Sequence, residues 1–162
     1  MFIEGYGAGV LRELADERGF VLASPATLGV AQSPGVLPAL VEQLAEDYAI
    51  DPSRVYVLGH SLGAGATLGL ARTHPDLVRA AAVIAGGGAG RVRGRADAPN
   101  MPPVLLVSGG LDPLFAPARA NAALESLRAV SNGAEHFPYP DEGHTLVVGE
   151  SMTRVIDWLL AK

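Results

Sequence analysis

The chain has 162 residues, of which 49% are hydrophobic and 18% are charged, with a mean hydropathy of +0.26. This composition is typical of one folded domain and excludes an intrinsically disordered chain. Twelve basic side chains against seventeen acidic ones give a formal net charge of −5, so no basic surplus is present to neutralise the phosphates of a nucleic acid.

Several other classes of protein are excluded by what the chain lacks. Cysteine is absent, which removes disulfides, thiolate metal sites and cysteine nucleophiles. No apolar run approaches the ~20 residues of a membrane span, and the first residues do not have the pattern of a signal peptide, so we predict a cytoplasmic location. No His/carboxylate cluster has metal-ligand spacing, and the glycines at 86–90 do not complete a dinucleotide-binding pattern. We therefore expect neither a metal nor a cofactor.

Short apolar runs alternate along the chain with segments of helical periodicity. This alternation indicates βαβ crossovers and predicts one α/β domain over 1–162, a three-layer sandwich with a mainly parallel sheet of about five strands. The long, aperiodic segment at 86–103 is expected to be a lid or a flexible loop. In chain order we predict helix 10–18, strand 20–23, helix 36–49, strand 55–58, helix 62–73, strand 80–85, strand 104–108, helix 117–130, strand 135–138 and helix 147–160.

A serine lies in a sharp turn between the second predicted strand and the helix that follows it. Residues 59–63 read Gly-His-Ser-Leu-Gly, the G-x-S-x-G pattern of a turn that presents a serine hydroxyl at the end of a strand. The serine backbone is strained in such a turn, and Gly59 and Gly63 remove Cβ atoms that would collide there. We predict Ser61 as a nucleophile and the Leu62 amide, at the positive end of the helix, as an oxyanion donor.

A serine hydroxyl needs a base, and the chain has four histidines. His60 lies inside the turn and is expected to point away from the Ser61 hydroxyl. His74 follows a helix, where a cation at the helix C-terminus is the simpler interpretation, and His136 lies on the last predicted strand. His144 follows that strand and precedes the final helix, so that it can reach back across the end of the sheet. We predict His144 as the base.

The acid that orients the base is expected on another loop at the same end of the sheet. Asp112 follows the apolar strand 104–108 and two glycines that let the loop turn tightly. The alternative interpretation is an aspartate that caps a turn before a proline. The chain order Ser61, Asp112, His144, with each residue after its own strand, is that of one hydrolase class and favours a catalytic role for Asp112.

Three segments together resemble the α/β-hydrolase family: V-Y-V-L-G-H-S-L-G-A-G at 55–65, L-L-V-S-G-G-L-D-P at 105–113 and D-E-G-H at 141–144. Within this family the chain is most similar to a group of small carboxylesterases that includes polyhydroxybutyrate-depolymerase-like, feruloyl-esterase-like and prolyl-oligopeptidase-like catalytic domains. Residues 5–25 look like the first helix and following strand of this group. The resemblance implies a triad of serine, histidine and aspartate that acts on a carboxylic ester.

The chain departs from the family pattern near its N-terminus. Family members have a strand before the first helix, ending in a His-Gly-rich loop that supplies a second oxyanion amide, and we expect neither here. An amide within residues 5–8, with Gly7 as the candidate, is then expected to replace that donor. We expect one of three explanations: a part of a longer hydrolase, a compact variant, or a subunit whose exposed sheet edges are covered in a homo-oligomer.

These inferences predict a serine hydrolase that cleaves a small-molecule carboxylic ester through an acyl-enzyme intermediate, without a nucleic-acid partner or a membrane span. Two alternatives stay open. One is a serine peptidase of the prolyl-oligopeptidase type. The other is a catalytically weak or silent scaffold that acts by binding a partner or further copies of itself.

Overall fold

A computed structural model describes residues 2–3, 7–25, 33, 35–87 and 101–162. The helices and strands of these residues alternate along most of the chain, as the sequence predicts. In order they are β1 (Phe2–Ile3), α1 (Gly7–Arg18), α2 (Val36–Asp47), β2 (Val55–His60), α3 (Leu62–Thr73), β3 (Val78–Ile84), β4 (Val104–Gly109), α4 (Pro117–Arg128), β5 (Ala134–Tyr139) and α5 (Leu146–Leu160).

The strands form one sheet in the order β1-β2-β3-β4-β5, and every neighbouring pair is parallel. Four of the strands have six or seven residues, whereas β1 has two. Parallel strands have all their carboxyl ends at one edge of the sheet, and each pair needs a crossover that covers a face. The predicted α/β class with a mainly parallel sheet is confirmed.

Two apolar clusters cover the two faces of the sheet, because successive side chains of a strand point in opposite directions. In β4, Val104 and Leu106 pack in one cluster, whereas Leu105 and Val107 pack in the other. The first cluster includes side chains of α2, α3 and α4, and the second includes side chains of α1 and α5. Because β4 is buried on both faces, its first four residues, 104–107, are all apolar and do not alternate with polar ones.

Two expectations about the first strands are wrong. Residues 20–25 form no strand, and a strand does precede α1, since β1 pairs with β2 through Phe2↔Leu58 and Ile3↔Gly59. β1 reaches only Leu58 and Gly59, and among the described residues no backbone hydrogen bond joins the segment at 20–25 to β2. Phe20 and Leu22 are instead partly buried against the cluster of α1 and α5. Their apolar spacing reflects contact with side chains, which periodicity alone does not distinguish from membership of a sheet.

A cavity of about 330 Å³ lies between β2 and the segment at 18–23. It is bounded by Phe20, the first residues of β2 and the last turn of α5, and Ser61, Asp112 and His144 do not line it. The strand ends that precede those three residues are the carboxyl ends, where ligands of parallel sheets bind. The functional site is therefore expected at that edge and not in this cavity.

Most of the predicted lid or flexible loop at 86–103 lies outside the described residues, as do the arginines within it. In the part of the chain that the structure describes, no helix is both long enough and apolar enough to cross a membrane.

Candidate active site

The serine of the G-x-S-x-G pattern lies between the last residue of β2 and the first residue of α3. Ser61 has φ +54° and ψ −113°, which is the left-handed side of the backbone map and is uncommon for a residue with a side chain. Such a conformation costs about 1–3 kcal/mol and persists only where the surroundings fix it. The Ser61 amide donates a hydrogen bond to the Ile84 carbonyl at 2.9 Å, which fastens the turn to the end of β3.

Two glycines let the backbone pack closely around this turn. A Cβ at Gly59 would overlap the backbone of Gly63 and the Thr67 hydroxyl, so β2 and α3 can approach only without it. A Cβ at Gly86, just after β3, would lie 2.6 Å from the Ser61 carbonyl oxygen. The sequence pattern predicted the importance of Gly59. The role of Gly86 was missed, because only the fold brings it against the serine.

The three predicted catalytic side chains form one chain of hydrogen bonds. His144 Nε2 lies 2.9 Å from Ser61 Oγ, and His144 Nδ1 lies 2.7 Å from Asp112 Oδ2. A carboxylate only accepts, so Nδ1 donates to Asp112 and Nε2 is left to accept the hydroxyl proton of Ser61. The three residues are on the loops after β2, β4 and β5, which the parallel sheet brings together at its carboxyl edge.

Asp112 is the most deeply buried of the three, with its side chain inaccessible to solvent, while the side chain of His144 is 17% exposed. The second carboxylate oxygen accepts hydrogen bonds from the amides of Leu114 at 2.7 Å and Phe115 at 2.8 Å. Burial by itself raises the pKa of Asp112, but the hydrogen bonds from Phe115, His144 and Leu114 outweigh it and hold the pKa below its ordinary value. Asp112 is therefore a buried carboxylate that stays ionised.

The loop that carries the histidine packs directly on the loop that carries the aspartate. A Cβ at Gly109 would overlap the Glu142 carbonyl, and a Cβ at Gly110 would overlap the Pro140 carbonyl. The Leu111 amide donates to the Glu142 carbonyl at 2.9 Å across the same contact. The two glycines were expected to let the loop turn tightly. In the structure they instead make room for the backbone of the neighbouring loop.

His60 contacts the predicted base, which the sequence did not indicate. Its Nε2 lies 2.9 Å from the carbonyl oxygen of His144, and the two imidazole rings are 4.9 Å apart with a tilt of 49°. A ring nitrogen that faces a carbonyl donates to it, so His60 links the end of β2 to the histidine loop. Because the two residues are 84 positions apart in sequence, no local pattern could have found this contact.

The remaining candidates lie where the sequence suggested, and their roles stay predictions. His74 caps the C-terminus of α3. His136 is half-buried on β5 and its Nε2 lies 2.8 Å from Ser108 Oγ; burial and the nearby Arg128 lower its pKa. Leu62 and Gly7 are the first residues of α3 and α1, respectively. Among the described residues, no group of three or more His, Asp or Glu side chains is arranged to hold a metal ion.

A parallel sheet between helical layers, with a strained serine after β2 and a hydrogen-bonded histidine and aspartate after later strands, defines an α/β-hydrolase. Residues 21–154 match the profile of the dienelactone hydrolase family. The chain belongs to that family.

Individual similar proteins share shorter segments or only the fold. The chain is 50% identical over 48 residues to poly(3-hydroxyalkanoate) depolymerase C of Paucimonas lemoignei, covering 30% of this chain and 12% of that protein. It is 34% identical over 116 residues to an acetylxylan esterase of Coprinopsis cinerea, covering 60% of this chain and 30% of the relative. The structure of a monoacylglycerol lipase of Paleococcus ferrophilus has a TM-score of 0.69 at 16% identity, covering 99% of this chain and 94% of that one.

The contact between the two loops leads to a prediction about Gly109. We expect Gly109→Ala to destabilise the protein by about 1–3 kcal/mol, because the added methyl group must displace the backbone of the histidine loop. Gly149→Ala is the matched control: its Cβ meets open space on α5, where replacing glycine by alanine stabilises by about 0.5–1 kcal/mol. Urea unfolding measures both changes. Equal effects of the two substitutions would contradict the close packing described here.

The lowered pKa of Asp112 leads to a prediction about acid stability. A carboxylate whose pKa is lower in the folded state than its unfolded value of about 3.9 stabilises the protein above that value, and this stability is lost as the pH falls through the folded pKa. We therefore expect the stability difference between the wild type and Asp112→Asn to shrink as the pH is lowered from about 5 to about 2.5. Thermal unfolding at several pH values measures the difference. A difference that stays constant over this range would contradict an ionised Asp112.

The contact of His60 leads to a prediction about the position of the base. We expect His60→Phe to lower kcat for a soluble ester by about tenfold or more, because it removes the donor to the His144 carbonyl. His60→Gln, whose amide nitrogen can donate from a similar distance, should retain more activity. Steady-state kinetics separates the effects on kcat and KM, and circular dichroism checks the fold. If the Gln and Phe variants lost the same activity, the hydrogen bond would not be the reason.

Proposed function

We propose that the protein is a serine hydrolase that cleaves carboxylic esters through an acyl-enzyme intermediate. The observation that carries the proposal is the chain of hydrogen bonds from Ser61 through His144 to the buried Asp112. A serine hydroxyl on a strained turn, an imidazole next to it and an ionised carboxylate behind the imidazole are the groups that acyl transfer requires. The proposal concerns this chain alone. Its matches span 12% and 30% of the lengths of the two curated relatives.

In the first half of the reaction, Ser61 Oγ attacks the acyl carbon of the ester. His144 Nε2 takes the hydroxyl proton as the new C–O bond forms, and the carbonyl electrons move to the oxygen. Asp112 accepts the hydrogen bond from His144 Nδ1–H and stabilises the imidazolium. When the tetrahedral intermediate collapses, the bond to the alcohol oxygen breaks and His144 returns the proton to that oxygen. The alcohol leaves and the acyl group remains on Ser61.

In the second half of the reaction, a water molecule takes the place of the alcohol. His144 removes a proton from the water as its oxygen attacks the acyl carbon of the acyl-enzyme. The second tetrahedral intermediate collapses with cleavage of the bond to Ser61 Oγ, which regains its proton from His144. The carboxylic acid is released and the free serine is restored.

The negative oxygen of each tetrahedral intermediate needs hydrogen-bond donors. We assign the Leu62 amide as one donor, because it is the first amide of α3 and points out of the positive end of the helix. Gly7 is the candidate for a second donor. Two observations support it: Ile3 of β1 pairs with Gly59, two residues before Ser61, and α1 begins at Gly7. Loss of one such donor typically raises the barrier by about 2.7–4 kcal/mol.

The relatives support an ester as the substrate. One of them is an acetylxylan esterase with 116 aligned residues, and the other is a poly(3-hydroxyalkanoate) depolymerase. The cytoplasmic location and the homo-oligomer expected from the sequence stay predictions, as do the lid and the single domain over 1–162.

The proposed nucleophile can be tested directly. We expect a fluorophosphonate probe to label the wild type. Ser61→Ala should abolish the labelling and lower the turnover of p-nitrophenyl acetate by about a thousandfold or more, because the acyl-enzyme forms on the Ser61 hydroxyl. Mass spectrometry of the labelled peptide identifies the modified residue, and absorbance at the p-nitrophenolate band follows turnover.

Ser108→Ala is the control, because the Ser108 hydroxyl also lies 2.8 Å from a histidine nitrogen, that of His136, whereas Ser108 is buried. This variant should keep both the labelling and the turnover. A folded wild type that is not labelled would favour the scaffold alternative. Faster cleavage of a matched anilide than of the ester would favour the peptidase alternative.

A further inference from the structure

Apolar side chains are exposed around the candidate active site. Six large hydrophobic side chains of the described residues are exposed, and four of them lie within two positions of Ser61, Asp112 or His144. We call these four leucines the leucine rim. They are Leu62, 76% exposed, Leu111, 67% exposed, Leu114, 62% exposed, and Leu146, 72% exposed.

Single exposed leucines are common on protein surfaces, whereas several together mark a surface that binds something. The leucines of the rim are on the loop after β4 and at the starts of two helices, and the structure holds their backbones in place. The Leu111 amide bonds the Glu142 carbonyl at 2.9 Å, and the Leu114 amide bonds Asp112 at 2.7 Å. Leu62 and Leu146 are the first residues of α3 and α5. The hydrogen bonds and helices that build the site therefore also fix the rim.

The exposure of the rim indicates what kind of ligand it contacts. Side chains that line a closed pocket are largely buried, whereas each of these leucines has more than 60% of its surface exposed. The four leucines lie within two positions of the serine, the aspartate or the histidine, whose loops meet at the carboxyl edge of the sheet. An extended apolar surface can contact exposed side chains on all of these loops at once.

The negative charge of the protein indicates which kind of apolar surface the leucine rim can bind. The chain has a formal net charge of −5, and the exposed Asp141 and the partly exposed Glu142 lie next to His144 on the same loop. An anionic lipid surface would repel these carboxylates. An uncharged surface that offers ester groups to Ser61 can bury the leucine side chains without repelling the nearby carboxylates.

We propose that the leucine rim docks the protein on the surface of an aggregated, water-insoluble and uncharged ester, so that ester groups at that surface reach Ser61. The identity of the ligand as an ester rests on the proposed function, whereas docking itself does not need catalysis. Burying a leucine side chain in an apolar phase favours binding by roughly tenfold or more. The rim should therefore act mainly on binding to the aggregate.

Binding to droplets of tributyrin tests the rim without catalysis, in a Ser61→Ala background. Centrifugation, which pellets the dense droplets, measures the bound fraction of three proteins. They are Ser61→Ala, the same variant with Leu111→Asn and Leu146→Asn, and the same variant with Tyr48→Asn. Tyr48 is 54% exposed but lies just after α2, away from the site, and serves as the control. We expect the two leucine substitutions to weaken binding by about tenfold or more and the tyrosine substitution to leave it unchanged.

Equal binding by the three proteins would overturn the proposal, and so would stronger binding to phosphatidylcholine vesicles than to droplets of the same surface area. A second measurement uses the wild type alone: its rate on tributyrin should rise sharply as the ester passes its solubility limit, and a smooth saturation curve through that limit would count against docking. Failure of the proposed function would be seen in a different measurement, as the absence of fluorophosphonate labelling at Ser61. Binding to the droplets would then still depend on the leucine rim.

Discussion

The candidate site depends on one buried carboxylate and the hydrogen bonds that it accepts. Asp112 binds two amides of its own loop with one oxygen and His144 with the other, so a single ionised group fixes both the loop after β4 and the loop after β5. A buried carboxylate is stable as an anion only if such donors surround it. The position of His144, and through it the contact with the Ser61 hydroxyl, follows from this arrangement.

The parts of the site are held together by backbone that packs against backbone. Gly59 and Gly86 let α3 and the end of β3 approach the strained Ser61, and Gly109 and Gly110 let the histidine loop lie on the aspartate loop. His60 adds a link between β2 and the histidine loop. Direct contacts of this kind leave little room for movement, which is what a chain of hydrogen bonds with 2.7 and 2.9 Å separations needs. The exposed leucines of the rim are attached to the same rigid loops.

Much of the fold and of the site could be predicted from the sequence, because the signals are local. The steric demands of the turn at Ser61 act over two residues on either side, so the pattern at 59–63 carries them completely. The apolar run of β4 and the helical spacing of α3 reflect burial of neighbouring residues, and the structure has both elements there. Since a parallel sheet brings its carboxyl ends together, the chain order also placed Ser61, Asp112 and His144 at one edge.

Only the tertiary structure decided which residues far apart in the chain contact one another. The apolar spacing at 20–23 showed that this segment is partly buried, but only the fold determined that β1, and not this segment, pairs with β2. Likewise, the sequence marks Gly86 and His60 as residues near strand ends, but not that one touches Ser61 and the other bonds the His144 carbonyl. Periodicity records how much of a residue is buried, whereas the identity of the neighbour depends on which distant elements compete for the same space.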